Sequence, residues 1–360
     1  MIGGAERLLA IHAAGLAARG HQVVVCSGAA GPAGAQSGVQ ILRIGRNPKT
    51  PLRAAAAVHA LRPDVVIGHQ PACALGALTA AKRLGIPTLY MFHSAWPEEH
   101  ATRHPSPRAA SVRLRQLAER ACLRASDLVL VLSSYSAAKL HALHGLSPAA
   151  VRVIPGGVDT ARFSPSGDRA AARARLALPT DGPLLLTVRN LVPRMGVDNL
   201  LAAMPSILEA FPQARLIIAG DGPLRTNLEQ TAKHLGLDSR IAFAGFVPEQ
   251  LLPDYYRAAD LAVLPSRALE GFGLVTVEAL ACGTPVVGTP VGATPEILTP
   301  LDPALLADDT TPGALATTIV RALDSAPGDL RERARRHVLA RYTCKAAVDA
   351  LEAVLEDLSR

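Results

Sequence analysis

The chain has 360 residues, of which 49% are apolar, 19% charged and 3% aromatic, and its net charge is +7. This composition is typical of a globular protein with large cores and excludes a disordered or fibrous chain, and at about 150 residues per domain the length predicts two domains. The few aromatic rings disfavour a nucleic-acid binder, because bases are commonly held by stacking.

The first part of the chain alternates between helical periodicity and short apolar runs. Residues 6–19 place apolar side chains at helical spacing, and 21–26 follow as a short buried strand. Further helices are predicted at 51–61, 71–84, 107–125 and 134–144, and further strands at 64–67, 88–92, 128–132 and 151–154. Strands that alternate with helices predict a parallel sheet covered on both faces.

A turn-rich stretch at 155–167 interrupts this pattern, which then restarts. Strands are predicted at 184–188, 215–219, 241–243, 261–264 and 285–288, with helices at 197–210, 223–235, 249–257 and 273–281. Two terminal helices follow, separated near Tyr342 and Thr343. We predict an α/β fold of two doubly wound domains, 1–165 and 166–328, with a ligand cleft between them; the helices of 329–360 pack back toward the first domain.

Two carboxylates, Glu270 and Glu278, stand eight positions apart around a glycine-rich turn between a strand and a helix. Gly271 and Gly273 permit unusual backbone torsions and let main-chain N–H groups approach an anion. The helix that begins near Gly273 directs its positive dipole end to the same place. The pattern predicts a phosphate cradle, with Glu278 placed to accept hydrogen bonds from a ribose diol. A plain helix start with a solvated acidic residue is the alternative.

The segment 243–298 around these glutamates closely resembles the donor domain of the family 4 glycosyltransferases, which have the GT-B fold of two facing Rossmann-like domains. Residues 3–6, 153–159 and 218–224 extend the resemblance over nearly the whole chain. It implies that Glu270 contacts the donor sugar and Glu278 the ribose of a sugar nucleotide. It also implies that the diphosphate binds to the backbone of Gly271, Phe272, Gly273 and Leu274.

The resemblance also assigns residues outside this segment. Arg189 stands at the family's phosphate-binding arginine, where a guanidinium stabilises the leaving diphosphate. Met195 replaces the usual lysine, and Arg194 beside it is the candidate to compensate. His93 matches a histidine that contacts the donor sugar, and His69 is a weaker candidate for the acceptor side. Gly3 and Gly4 match a loop that approaches the acceptor and the phosphate.

We therefore expect a retaining glycosyltransferase that moves a sugar from a nucleoside diphosphate sugar to the hydroxyl of a saccharide, lipid-linked or small-molecule acceptor. No DxD or HExxH motif is present, so neither a metal nor another cofactor is expected. A sugar-nucleotide epimerase or a phosphorylase of the same fold is the enzymatic alternative. A degenerate ligand-binding homologue, motivated by Met195, is the non-enzymatic one.

The N-terminus departs from the family pattern. Family members begin with a buried strand that leads into the glycine loop, whereas Met1 stands where that loop starts. We expect a central first strand to be missing and favour a true start further upstream over a sheet with an exposed centre. Losing a central parallel strand would cost more than the roughly 5 to 15 kcal/mol that stabilises a whole domain.

Compartment and membrane contact follow from the remaining features. The five cysteines are scattered without a CxxC pair, which disfavours a disulfide framework or a structural zinc site and favours the cytoplasm. No run approaches the roughly 18 apolar residues that cross a bilayer. The segment 103–124 carries six arginines against the single acid Glu119. A solvated helix face is the favoured interpretation, and weak peripheral contact with the anionic inner membrane face is the alternative.

Overall fold

The computed structural model describes residues 3–29, 33–103, 108–325 and 327–359. The chain forms two compact units. We call residues 158–343 the C-terminal unit, and residues 2–157 together with 344–360 the N-terminal unit.

The N-terminal unit alternates helices with short strands. Its first six helices are α1 (Gly4–Ala17), α2 (Thr50–Leu61), α3 (Pro71–Arg83), α4 (Trp96–Arg103), α5 (Ala109–Ala125) and α6 (Ser134–His144). Its strands are β1 (Val23–Ser27), β2 (Gly34–Gln36), β3 (Val39–Arg43), β4 (Val66–Gly68), β5 (Thr88–Met91), β6 (Leu128–Val131) and β7 (Val151–Val153). The predicted helix at 107–125 corresponds to α5, although residue 107 lies outside the described residues.

The C-terminal unit continues the alternation. Its helices are α7 (Arg169–Arg175), α8 (Val197–Ala210), α9 (Arg225–His234), α10 (Leu252–Ala258), α11 (Leu274–Ala281), α12 (Thr294–Leu298), α13 (Pro312–Asp324) and α14 (Leu330–Arg341). Its strands are β8 (Leu184–Val188), β9 (Arg215–Ala219), β10 (Ile241–Gly245), β11 (Leu261–Leu264) and β12 (Val286–Gly288). The last helix, α15 (Cys344–Leu358), belongs to the N-terminal unit.

The described strands of the N-terminal unit form two sheets instead of one continuous parallel sheet. One sheet has the order β1-β3-β2, and the other is parallel with the order β4-β5-β6-β7. Val23 of β1 and Ile67 of β4 pack against the same apolar cluster, which includes Leu8 of α1 and Val348 of α15. Within the part of the chain that the structure describes, β1 and β4 do not pair with each other, and α1 is preceded by no strand.

The antiparallel hairpin of β2 and β3 was not predicted. Its strands are joined by the two-residue turn Ser37-Gly38, with Gln36 opposite Val39. Both turn residues have positive φ, 50° at Ser37 and 77° at Gly38, which gives the backbone twist of a type I′ hairpin turn. Because β2 carries only Gly34, Ala35 and Gln36, all exposed, it lacks the apolar run by which a strand is usually recognised.

The C-terminal unit is built on five parallel strands in the order β10-β9-β8-β11-β12. The chain runs outward from β8 through β9 to β10 and then returns to β11 on the other side of β8. The topological switch point therefore lies between β8 and β11. At such a point the connections leave the sheet in opposite directions, so the carboxyl ends of the two strands are open to a ligand.

The division of the chain differs from the predicted boundaries at 165 and 328. Residues 158–165 and 329–343 belong to the C-terminal unit. Arg335 of α14 explains this, since its guanidinium donates to the carbonyl oxygens of Thr160 at 2.8 Å, Phe163 at 2.7 Å and Ala281 at 2.9 Å. Of the two terminal helices, α15 alone belongs to the N-terminal unit, where Val348 and Leu351 join the core with Leu8.

Acidification is expected to destabilise the N-terminal unit. His12 of α1 is 3% exposed, and neither ring nitrogen has a hydrogen-bond partner among the described residues. Burial lowers the pKa of His12 to about 4, whereas an unfolded histidine titrates near 6.5. The unfolded chain therefore binds the extra proton first, and His12 alone should cost about 2 kcal/mol of stability at pH 5.

Urea unfolding at pH 7 and at pH 5 measures this effect. The His12→Leu variant, which cannot titrate, should lose less stability between the two pH values than the wild-type protein. An equal loss in both proteins would contradict the assignment of His12 as a neutral buried side chain.

Candidate functional site

The predicted donor residues gather in the C-terminal unit at the topological switch point. Arg189 directly follows β8, and its backbone N–H donates to the carbonyl oxygen of Ala219 on β9 at 2.9 Å. Ser266 and Glu270 lie in the loop between β11 and α11. The carboxyl ends of β8 and β11 thus bring together residues that are more than 70 positions apart in the chain.

Arg189, Ser266 and Glu270 form a buried polar cluster. The Nη2 of Arg189 donates to the Oγ of Ser266 at 2.8 Å and lies 2.8 Å from the Oε2 of Glu270, while the Ser266 hydroxyl donates to that same carboxylate oxygen at 2.9 Å. The three residues are 5%, 0% and 7% exposed. A buried ion pair is tolerated when further hydrogen bonds satisfy it, and Ser266 supplies them. The Nε of Arg189 has no hydrogen-bond partner among the described residues.

Ser266 was missed in the sequence because it belongs to no recognised motif. A polar residue two positions after the buried strand β11 was the available signal, because side chains just past the carboxyl end of a parallel strand lie where ligands bind. Its importance becomes visible only when Arg189 and Glu270 are found on either side of it.

The glycine-rich turn has the unusual torsion that its sequence permits at Gly273, whereas Gly271 has no positive φ. Gly273 adopts a left-handed conformation, with φ 82° and ψ 64°, directly before α11. The first N–H groups of a helix lack intrahelical partners and favour an anion there. The other side of the turn is anchored at Gly292, whose φ is 62° and whose neighbour Ala293 donates its N–H to the carbonyl oxygen of Glu270 at 2.9 Å.

Gly292 is expected to be indispensable for this turn. A Cβ at this position would overlap the carbonyl oxygen of Glu270, and the positive φ strains any other L-residue. We expect Gly292→Ala to cost about 2 to 4 kcal/mol of unfolding free energy. In the matched control Gly313→Ala, on α13, the added Cβ meets no atom within 4 Å, and a gain of about 0.5 to 1 kcal/mol is expected. Equal urea midpoints for the two variants would refute this account.

Glu278 lies on α11 and is 4% exposed. The hydroxyl of Tyr256, from α10, donates to its Oε2 at 2.9 Å. Tyr256 is itself 1% exposed, so the packing of α10 against α11 orients the carboxylate. Tyr256 was missed in the sequence, because its 22-residue separation from Glu278 carries no local pattern.

Arg194 and Met195 have different surroundings, although they are adjacent. The Nη1 of Arg194 donates to the carbonyl oxygen of Leu269 at 3.1 Å, and its own carbonyl accepts the N–H of Arg267 at 2.8 Å. Arg194 therefore braces the loop that leads to Glu270. Met195 is buried, at 7% exposed. That Arg194 contributes to diphosphate binding stays a prediction.

The remaining predicted residues belong to the N-terminal unit. Gly3 is the extended residue before α1, with φ −71° and ψ 167°, and Gly4 begins that helix. His93 lies two residues after β5, and its Nε2 is 3.2 Å from the Nδ1 of His69. These residues are thus in a different unit from Arg189, Glu270 and Glu278.

Neither a metal cluster nor a membrane-spanning helix occurs among the described residues. No three His, Cys, Asp or Glu side chains converge as ligands of a metal ion do. None of the helices that the structure describes is both long and apolar enough to cross a membrane.

The fold and the site define a class of protein. Similar solved structures include sucrose-phosphate synthase from Thermosynechococcus elongatus, with a TM-score of 0.85 and 25% identity over 99% of this chain and 94% of that chain. The Anabaena protein HepE in complex with UDP-glucose has a TM-score of 0.81 at 22% identity, with 99% and 96% coverage. The two parallel-sheet units are therefore those of the GT-B fold, as predicted.

Sequence comparison identifies the family. Residues 168–339 match the model for glycosyl transferases group 1, and residues 2–162 match the model for glycosyltransferase family 4. D-inositol 3-phosphate glycosyltransferase 1 of Catenulispora acidiphila is 35% identical over 305 residues, which are 81% of this chain and 71% of that protein. The chain belongs to the family 4 glycosyltransferases, as its motifs predicted. It spans 60% of a further relative, the D-inositol 3-phosphate glycosyltransferase of Acidothermus cellulolyticus, at 31% identity over 72% of this chain.

Proposed function

We propose that the protein transfers a sugar, with retention of anomeric configuration, from a nucleoside diphosphate sugar to an acceptor hydroxyl. The observation that carries the proposal is the buried cluster of Arg189, Ser266 and Glu270 at the switch point between β8 and β11. A ligand at such a point meets a guanidinium, a carboxylate and a glycine turn that begins a helix. Those groups suit a diphosphate and the sugar attached to it.

Each residue has a distinct part in this proposal. Arg189 stabilises the negative charge that develops on the leaving diphosphate, and the backbone from Gly271 to Leu274 binds the same group. Glu270 accepts hydrogen bonds from hydroxyls of the donor sugar, and Glu278 holds the ribose. Ser266 keeps the guanidinium and the carboxylate in register, because it is hydrogen-bonded to both. The family resemblance assigns His93 a contact with the donor sugar.

The acceptor is proposed from the relatives. Both relatives compared above carry D-inositol 3-phosphate in their names, so this compound is the first acceptor to test. The cytoplasm as the compartment stays a prediction.

Thermal unfolding with UDP, GDP, ADP, TDP and their glucose conjugates tests the donor. One nucleotide is expected to raise Tm increasingly with its concentration, because a ligand that binds only the folded state stabilises it. The Glu278→Ala variant should require much more of that nucleotide for the same shift. If no nucleotide shifts the wild-type protein, the donor assignment fails. The anomeric proton coupling of the product, read by NMR, decides between retention and inversion.

A further inference from the structure

Two imidazole rings meet at the carboxyl ends of β4 and β5. These strands pair in parallel with Gly68 opposite Tyr90, so the next residue, His69, lies opposite Met91. His93 follows Met91 by two residues. Side chains two residues apart on a strand share a face, which brings the two histidines together. Their ring centroids are 5.4 Å apart with an interplanar angle of 26°, and the Nδ1 of His69 is 3.2 Å from the Nε2 of His93.

The rings are neutral near pH 7. Burial, with a further contribution from His12, lowers the pKa of His93 to about 4, against a weaker opposing effect of Glu99. Burial lowers the pKa of His69 well below its ordinary value, and His93 and His12 lower it further. A neutral imidazole carries one N–H, so one of its nitrogens donates and the other accepts.

A single hydrogen therefore occupies the contact between the rings. If the Nδ1 of His69 donates it, the Nε2 of His93 accepts and the hydrogen of His93 is on its Nδ1. If the Nε2 of His93 donates, the Nδ1 of His93 carries no hydrogen and can only accept. The contact couples the tautomers of the two rings, because neither ring can change its tautomer while the other keeps its own.

We propose that His69 is a positioning residue that holds His93 in one ring orientation and one tautomer. The other ring nitrogen of His93, Nδ1, then acts toward a sugar hydroxyl either as a donor or as an acceptor and does not alternate between the two. This inference rests on the proposed glycosyl transfer, in which His93 contacts the donor sugar. The role of His69 depends on its Nδ1 alone, since that atom makes the contact. A substitution that keeps a hydrogen-bonding group at the position of Nδ1 should therefore preserve the effect, and one that keeps only an aromatic ring should not.

The variants His69→Asn and His69→Phe separate these possibilities. The side-chain amide of asparagine lies where Nδ1 lies in histidine, whereas phenylalanine keeps only the stacking. We expect His69→Phe to lower kcat about 10- to 100-fold, as small misplacements at a reacting centre do, with little change in KM for the donor. His69→Asn should recover most of the loss. His59→Phe, at an exposed position on α2, is the matched control and should behave as the wild-type protein.

Nitrogen-15 NMR of the imidazole groups provides a readout that does not require turnover. His93 should show one tautomer in the wild-type protein and in His69→Asn, and a mixture in His69→Phe. A single unchanged tautomer in His69→Phe overturns the proposal, and so does His69→Phe with wild-type kcat or His69→Asn as impaired as His69→Phe. If the wild-type protein binds no sugar nucleotide, the proposed function fails instead, and the NMR result still decides whether His69 positions His93. Urea unfolding of each variant shows that it is folded.

Discussion

Replacing Arg189 with glutamine is expected to lower kcat about 100- to 1000-fold, the usual effect of removing a donor that stabilises developing charge. In the structure the same guanidinium also neutralises the buried carboxylate of Glu270 at 2.8 Å. Arg189→Gln should therefore also cost about 3 to 5 kcal/mol of unfolding free energy, because the partner charge is left buried and unpaired. Turnover with saturating donor and urea unfolding measure the two effects separately.

A double variant distinguishes catalysis from stability. Arg189→Gln combined with Glu270→Gln removes both charges and should recover most of the lost stability. Its kcat should stay low, because the diphosphate lacks its cation and the donor sugar lacks the carboxylate of Glu270. Ser266→Ala is the milder control: it removes one hydroxyl from the cluster and should cost about 1 kcal/mol. If the double variant recovered wild-type kcat, Arg189 would be a structural residue only.

Replacing Glu278 with glutamine is expected to weaken nucleotide binding about 10- to 100-fold and to leave kcat at saturating donor nearly unchanged. A carboxylate accepts hydrogen bonds from two ribose hydroxyls more strongly than a neutral amide does, and each charged hydrogen bond contributes about 1.5 to 3 kcal/mol. The nucleotide is bound equally before and during the reaction, so the loss falls on affinity. Calorimetric titration with the nucleotide identified by thermal unfolding measures it.

Tyr256→Phe is the matched control for Glu278. It removes the hydroxyl that donates to the Oε2 of Glu278 at 2.9 Å but keeps the buried ring between α10 and α11. Affinity should fall less than in Glu278→Gln, because the carboxylate keeps its charge and loses only one orienting contact. Wild-type affinity in Glu278→Gln would remove Glu278 from the binding site.

Several features were predictable because they depend on local sequence. The five strands of the C-terminal unit are short apolar runs, and all five were predicted. Four of them are buried along nearly their whole length, as strands covered on both faces are, whereas the edge strand β10 has exposed residues. The glycine turn before α11 was predicted from Gly271 and Gly273 between a strand and a helix, and Gly273 has the positive φ that such a turn requires. The helices α4, α12 and α13 were missed.

Other features depend on contacts between distant parts of the chain. The clustering of Ser266 with Arg189, and of Tyr256 with Glu278, follows from how strands and helices pack, and no periodic pattern records it. The boundary near residue 343 depends on the hydrogen bonds of Arg335 to Thr160 and Phe163, more than 170 positions away. The contact of His69 with His93 depends on the register of β4 against β5.

The sequence by itself determined the alternation of strands and helices, the family and the two glutamates of the donor motif, because hydrophobic periodicity and residue spacing are properties of neighbouring positions. Only the tertiary structure decided that Arg189 neutralises Glu270, that Tyr256 orients Glu278 and that β1 and β4 belong to separate sheets. The physical reason is that a buried charge or polar group is stabilised by whichever group packing brings within hydrogen-bond distance.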